Sequence, residues 1–414
     1  MLAGKRVMAL LVVLALLATQ SGCWSRKEVE DLAIGSALGI DRVEVEGRPK
    51  WRVAIQIVRP GEMGAGGGQQ GGGGAGGKPV WLASALGDTL EDAITNMKTR
   101  SPRQLFLAHA NLVVLGERVA REGVHEVVDI ILRERDLRLR VWVLVAKGEA
   151  LDILRAEPEL EKLPSEEMMG IITNTQPKVS KALVVDTKDF INQLAAPGRD
   201  PVASKVQVFT PMEERPTGGG EPQAPRGMEK EVKPVVRLTG AAVFRGDRLT
   251  GWMGDRETKG YLYVINKAEG GIIPVRIHGH QEKDISFMMT RSKSKITPEV
   301  RDGRIAFAVE IKAEGDLGEH QETHQIAKPG TIKSLEKDVT QEIKKMVEES
   351  IRMAQQDFGA DIFGFGERLH KKYPKVWKEI EKDWRDIYPA VEVTVSVEAK
   401  IRRTGMIGDS PVIK

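Results

Sequence analysis

The chain has a single cysteine, and aromatic residues make up only 5% of its 414 positions. One cysteine excludes an internal disulfide framework, so an exported body of this sequence must draw its stability from burial, which a chain of this length can supply. An excess of one charge is also missing. The 62 lysines and arginines face 59 aspartates and glutamates, a formal net charge of +3. That balance excludes the domain-wide basic excess of a nucleic-acid-binding surface. Beyond the first two dozen residues no apolar run approaches the roughly 20 residues of a spanning helix. The body is therefore expected to sit on a membrane and not to cross one. The sequence contains no G-x-S-x-G nucleophile elbow.

What is present begins with a leader. Lys5 and Arg6 form a positive segment, Met8 to Leu17 is uninterruptedly apolar, and Ala18, Thr19, Ser21 and Gly22 are small or polar. This is the three-part order of a secretion signal. The sole cysteine, Cys23, follows directly. A signal cut before cysteine is the pattern of a bacterial lipoprotein, in which the thiol is alkylated by diacylglycerol. Gln20 departs from it, since leucine is usual three residues before the cysteine. The expectation is a leader over 1–22 and a lipid anchor at Cys23, where two acyl chains hold stably and one holds only marginally.

The mature part, 41% hydrophobic and 29% charged over the whole chain, reads as a globular body of two or three domains. Leu32 to Asp41 predicts a buried strand, and Trp51 to Ile57 alternates like a half-buried one. Glu46 to Pro49 makes the turn between them. Residues 61–77 are glycine-dominated and read as a flexible insert. Amphipathic spacing predicts a helix over Ala85–Thr99. Strands are expected at His109–Leu115, Arg140–Ala146, Ser204–Phe209 and Val235–Phe244, with helices at Gly123–Leu132, Glu149–Arg155, Ser165–Asn174 and Thr187–Leu194.

Pro211 to Pro234 is the clearest boundary or long loop. Further strands are expected at Leu249–Trp252, Ile272–His278, Lys283–Arg291 and Arg304–Ala313. A long helix follows, with Ile332, Leu335, Val339, Ile343, Val347 and Ile351 on one face and Glu348–Arg352 as an i,i+4 pair. Another helix starts near Ile362, and Pro374 opens one reaching Ile387. Val391 to Arg402 alternates apolar and polar without a break. The fold expected is α+β, a multidomain mixed α/β body with mostly antiparallel or mixed sheets covered by helices. Its parts are the leader 1–22, an N-terminal region 23–210, a linker 211–234, a C-terminal region 235–405 and a tail 406–414.

Catalytic chemistry finds little support. Gly72 to Lys78 satisfies the first part of a phosphate-binding loop, but Pro79 stands where the Mg²⁺-holding serine or threonine belongs. His320 and His324 lie four apart without the glutamate placement of a zinc-protease helix, and glycines and prolines around them suggest a loop. His278 and His280 share one strand face with no carboxylate partner in view. The acidic pairs Glu166–Glu167 and Glu348–Glu349 read as solvated helix faces, and Arg133, Arg135, Arg138 and Arg140 as a solvated helix end. No catalytic residue, cofactor or metal site is expected, and Cys23 is the one position with defined chemistry.

From Cys23 onward the chain resembles the Ger(x)C family, the lipoprotein C subunits of bacterial spore nutrient germinant receptors. The likeness rests on Gly22 to Ala33 with Gly39-Ile40-Asp41, on Val128 to Arg133 with Val145 to Gly148, and on Leu238 to Phe244 with Leu249 to Trp252. It rests most specifically on Gly359-Ala360-Asp361-Ile362-Phe363-Gly364-Phe365-Gly366-Glu367, followed by Lys372 to Trp377 and Glu398 to Gly405. The resemblance implies a non-enzymatic receptor subunit anchored at the outer face of the spore inner membrane. There it would assemble with a polytopic A subunit and a transporter-like B subunit, and it would be needed for nutrient-triggered germination. A lipid-anchored extracytoplasmic solute-binding protein and a lipoprotein hydrolase of cell wall or spore cortex are the alternatives. The Gly359–Glu367 stretch is expected to form a tight helix–helix corner with its aromatics in the core. Alternatively, Phe363 or Phe365 contacts a partner subunit.

Overall fold

Long-range pairing organises the chain into two sheets. The computed structural model describes residues 28–59, 79–134, 136–210, 233–276, 284–320 and 329–403, with isolated positions 4 and 8. After a 3₁₀ turn at Val29–Asp31 come β1 (Leu32–Val45), β2 (Arg48–Val58), β3 (Val80–Gly87), α1 (Leu90–Lys98), β4 (Gln104–Phe106) and β5 (Leu112–Leu115). The crossover to β6 (Trp142–Ala146) carries α2 (Glu117–Glu122) and α3 (His125–Arg133). Four helices precede β7 (Val202–Phe209): α4 (Ala150–Arg155), α5 (Pro164–Gly170), α6 (Gln176–Val179) and α7 (Thr187–Ala195). Beyond residue 233 lie β8 (Val235–Arg245), β9 (Arg248–Met253), α8 (Asp255–Val264), β10 (Ile272–Arg276), β11 (Asp284–Arg301) and β12 (Arg304–His320). The chain closes with α9 (Pro329–Arg352), α10 (Phe365–Lys372), α11 (Pro374–Ile380), α12 (Trp384–Ile387) and β13 (Glu392–Arg403).

The first sheet runs β3-β2-β1-β5-β6-β7-β8-β9, with β4 paired to β1; the second runs β10-β11-β12-β13. Strands β1, β5, β6 and β7 are parallel neighbours, β4 also pairs parallel to β1, and the remaining pairings of the first sheet are antiparallel. The hairpin β8–β9 completes a sheet begun before residue 210, so one sheet takes strands from both sides of residues 211–232. This is an α+β body with mixed sheets and helices against them.

Several local expectations shift for physical reasons. Ala85–Gly87 belongs to β3, and the helix starts only at Leu90, where Thr89 accepts the Asp92 N–H at 3.1 Å as the cap. Strand β2 alternates in sequence, yet both of its faces are covered: Val53, Ala54, Ile55 and Gln56 are all buried. Gln56 is tolerated there because its Nε2 donates to Leu154 O at 2.8 Å. Strands β11 and β12 form one long hairpin, and Gly315 and Gly318 lie inside β12, not in a loop. The pair expected between Glu348 and Arg352 does not form; Glu348 meets Lys344, and Arg352 meets Asp357. The long helix ends in a π-helical turn at Met353–Phe358, closed by Gly359 in the left-handed region.

Open sheet edges invite pairing with other chains, and side chains cover several here. On β3, Arg100 and Asn96 donate to the carbonyls of Ser84 and Leu86. On β13, the amides of Ala399 and Ile401 donate to Thr340 and Glu336 of α9. On β10, Pro274 removes a donor, and the buried Lys259 amine donates to Ile272 O at 2.7 Å. Burial moves that lysine down to about 8.

Candidate functional site

The Gly359–Glu367 stretch is a corner between two helices, and its aromatics are core. Phe363 and Phe365 are fully buried. Phe365 stacks on Phe307 of β12 at 4.6 Å and on Phe363 at 5.4 Å; Phe363 meets Tyr261 of α8, and Trp384 packs edge-on against Trp377. Neither phenylalanine presents a surface to a partner.

Asp361 explains why the corner takes this shape. Gly364, in the left-handed region, precedes α10 without a capping side chain. The first amides of a helix lack intrahelical partners. Asp361 supplies one from outside: its Oδ1 accepts Phe365 N–H at 2.9 Å, and its Oδ2 accepts Gly366 N–H at 2.7 Å and Trp384 Nε1–H at 3.1 Å. Burial nevertheless dominates. It pushes the carboxyl up to about 7, against the pull of these three donors, and the nearby Asp200 adds to the rise.

The other half of the arrangement comes from the segment entering β7. Asp200 donates its amide to Asp361 O at 2.9 Å and takes the Asp361 amide on Oδ2 at 2.9 Å. Its Oδ1 accepts Gly246 N–H from the β8–β9 turn at 2.7 Å. Arg199 pairs with Glu367 at 3.2 Å, and Glu367 N–H donates to Gly198 O. A Cβ on Gly198 would stand 2.4 Å from Trp377 and 2.8 Å from the Gly366 Cα, so two glycines let the two backbones touch. Three distant segments are thus clasped by two buried carboxylates. The chemistry available to them is hydrogen-bond acceptance and, at Asp361 alone, a proton exchange near neutral pH.

A third carboxylate does similar work in the first sheet. Asp41 of β1 accepts Ala150 N–H at 2.7 Å and Leu151 N–H at 3.0 Å at the start of α4, and pairs with Arg52 at 3.0 Å. Arg52 also holds Glu149 at 2.7 Å. Burial raises the Asp41 carboxyl despite these partners. Asp41 and Asp361 both stand in the stretches that carry the family resemblance, yet no local pattern marks either as a long-range acceptor. Asp200 lies outside those stretches; its only local signal is its place between Gly198-Arg199 and Pro201.

Cys23 lies outside the described residues, as do Arg135, His278, His280, His324 and the glycine tract with Gly72 to Lys78. Arg133, Arg138 and Arg140 are exposed, and Arg133 pairs with Asp129. Glu167, expected on a solvated face, instead organises a loop: its Oε2 accepts the amides of Glu159, Leu160 and Glu161. Glu349 binds Arg256 of α8 at 2.6 Å. Among the described residues, no group of three or more His, Cys, Asp or Glu is arranged to hold a metal ion. No helix among them is long and apolar enough to cross a membrane.

Two family profiles match the chain. The spore germination protein N-terminal domain matches residues 25–208, and the spore germination B3/GerAC-like C-terminal domain matches 239–405. The chain is similar to spore germination protein KC of Bacillus subtilis (strain 168), at 28% identity over 97% of this chain and 96% of that protein. It is similar to spore germination protein B3 of the same organism at 21% identity, over 96% and 98%. The crystal structure of the GerBC protein shares the fold, with a TM-score of 0.54 at 17% identity, covering 89% of this chain and 98% of that one.

Proposed function

Because the chain belongs to the Ger(x)C family of spore germination proteins, we propose that it is a non-enzymatic, lipid-anchored subunit of a spore nutrient germinant receptor. The observation that carries this reading is the ordered likeness to spore germination proteins over 25–208 and 239–405, starting two residues after the sole cysteine. On this reading residues 1–22 are removed and Cys23 takes the lipid. The body then rests at the outer face of the spore inner membrane beside polytopic A and B subunits. The tether's contribution is local concentration: once the body is held on the same surface, meeting its partners no longer depends on three-dimensional diffusion. Regions 23–210 and 235–405 are two stretches of that one body, with 211–234 linking them and 406–414 as a tail.

The test is recovery from spore membranes in mild detergent, with wild type and Cys23→Ala compared. Wild type is expected in the detergent phase and in complex with A- and B-type subunits, and Cys23→Ala in the aqueous phase. Recovery of wild type without any polytopic subunit would refute the receptor role. Equal aqueous partitioning of the two proteins would refute the anchor.

A further inference from the structure

A cleft of about 420 Å³ opens between the α5–α7 segment and the α8–β10 connection. Its size falls in the range of small-molecule sites, which favour junctions between structural units. Ile172, Leu183 and Leu262 are buried apolar walls, and the half-buried Trp142 stands at its side. Ile172 lies on a π-helical turn, Ile171–Thr175, a feature that recurs at functional sites.

The polar groups of the floor are already committed. Gln176 accepts Ala182 N–H at 3.0 Å and donates to Leu238 O at 3.1 Å, while Ser180 Oγ accepts Gly270 N–H at 3.3 Å. Polar recognition is left to the rim, where the lining side chains Asp186, Asp189 and Glu269 face one cation, Lys267. Lys267 and Asp189 meet across the mouth at 3.6 Å, both about half exposed. Such a pair contributes little and opens at small cost. Glu269 has no ion pair among the described residues.

We infer that this cleft binds a small organic cation, an ammonium group carried on an apolar body. The body fills the space between Ile172, Leu183 and Leu262. The ammonium group sits at the rim against Glu269 and against Asp186, whose Oδ1 also accepts the Asp189 amide. This site does not depend on the receptor reading, because it concerns the folded body alone.

The test is isothermal calorimetry on the full-length protein in detergent micelles, with empty micelles as the blank. The probes are benzylammonium, benzyl alcohol and benzoate, which share a ring and differ in charge. Benzylammonium is expected to bind most tightly and benzoate least. Glu269→Gln, at an exposed position, is expected to weaken benzylammonium by up to about fivefold and to leave benzyl alcohol unchanged. Lys267→Ala, which releases Asp189, is expected to tighten benzylammonium. Equal affinities for the three probes, no binding of any at millimolar concentration, or indifference to both substitutions would overturn the inference.

Discussion

Replacing Asp361 by asparagine and measuring urea unfolding at several pH values tests the clasp directly. The carboxyl has an ordinary value of 3.8 and is held up to about 7 in the folded protein. Between these values the folded state binds one proton more than the unfolded chain. Stability from this group is therefore greatest in acid and is lost as pH rises through about 4 to about 7. Each pH unit in that window is about 1.36 kcal/mol. From pH 5 to pH 8 the loss from Asp361 integrates to about 2.6 kcal/mol. Asparagine does not titrate, so the stability gap between wild type and Asp361→Asn should narrow by about that amount over this range.

Taking the difference between the two proteins removes the titrations of groups that do not interact with Asp361. The absolute gap also contains a fixed penalty, because an amide NH₂ would face an N–H donor at one of the two oxygens, worth about 1–3 kcal/mol. A gap that widens with pH would refute the reasoning. It would mean that the amides of Phe365 and Gly366 and the Trp384 indole outweigh burial and hold the carboxyl below its ordinary value. Trp384→Phe sharpens the test: with one donor to the charged form removed, the titration should move to higher pH.

Three further outcomes follow from the geometry. Gly198→Ala should destabilise more than Gly303→Ala in chemical unfolding. Both glycines are left-handed, but a Cβ on Gly303 meets nothing within 4 Å, so that change should cost only about 1–2 kcal/mol; at Gly198 an overpacking cost of about 1–3 kcal/mol adds to it. Phe365→Ala should cost about 3–5 kcal/mol, read as a fall in unfolding midpoint; unchanged stability would return Phe365 to the surface. Asp41→Ala should lower the unfolding midpoint by the equivalent of about 1–3 kcal/mol per amide left buried without an acceptor, whereas Glu149→Ala, at the exposed end of the same network, should change it little.

How far the sequence reveals this fold depends on what covers each surface. Strand β13 shows its alternation plainly because one face meets α9 and the other meets solvent: Val395 and Ala399 are buried, while Glu392, Thr394 and Glu398 are exposed. The long apolar stripe of α9 is legible for the same reason. Strand β2 misleads because helices cover both sides, so its polar Gln56 is buried with the rest. Helix α8 escapes pattern reading for a related cause. Thr258, Lys259 and Gly260 are polar or small, yet all are buried; Gly260 lets the Met346 backbone of α9 approach, and Lys259 reaches Ile272 of β10. Periodicity reports solvent on one side, and these elements have none.

The clasp lies beyond local pattern altogether. Asp200 and Asp361 are 161 positions apart, and each makes sense only in the presence of the other's backbone. Their pairing bears on the two regions of family likeness, 25–208 and 239–405. Asp200 belongs to the first and accepts amides from Gly246 and Asp361, both in the second. Strand β7 of the first pairs along its length with β8, which starts at Val235 and runs into the second. Cutting the chain between them would expose a ladder of strand amides and strand carbonyls and leave buried acceptors without donors. Such groups are costly to bury unpaired. The two regions are accordingly two stretches of resemblance within one cooperative body, and the proton on Asp361 acts at the joint between them.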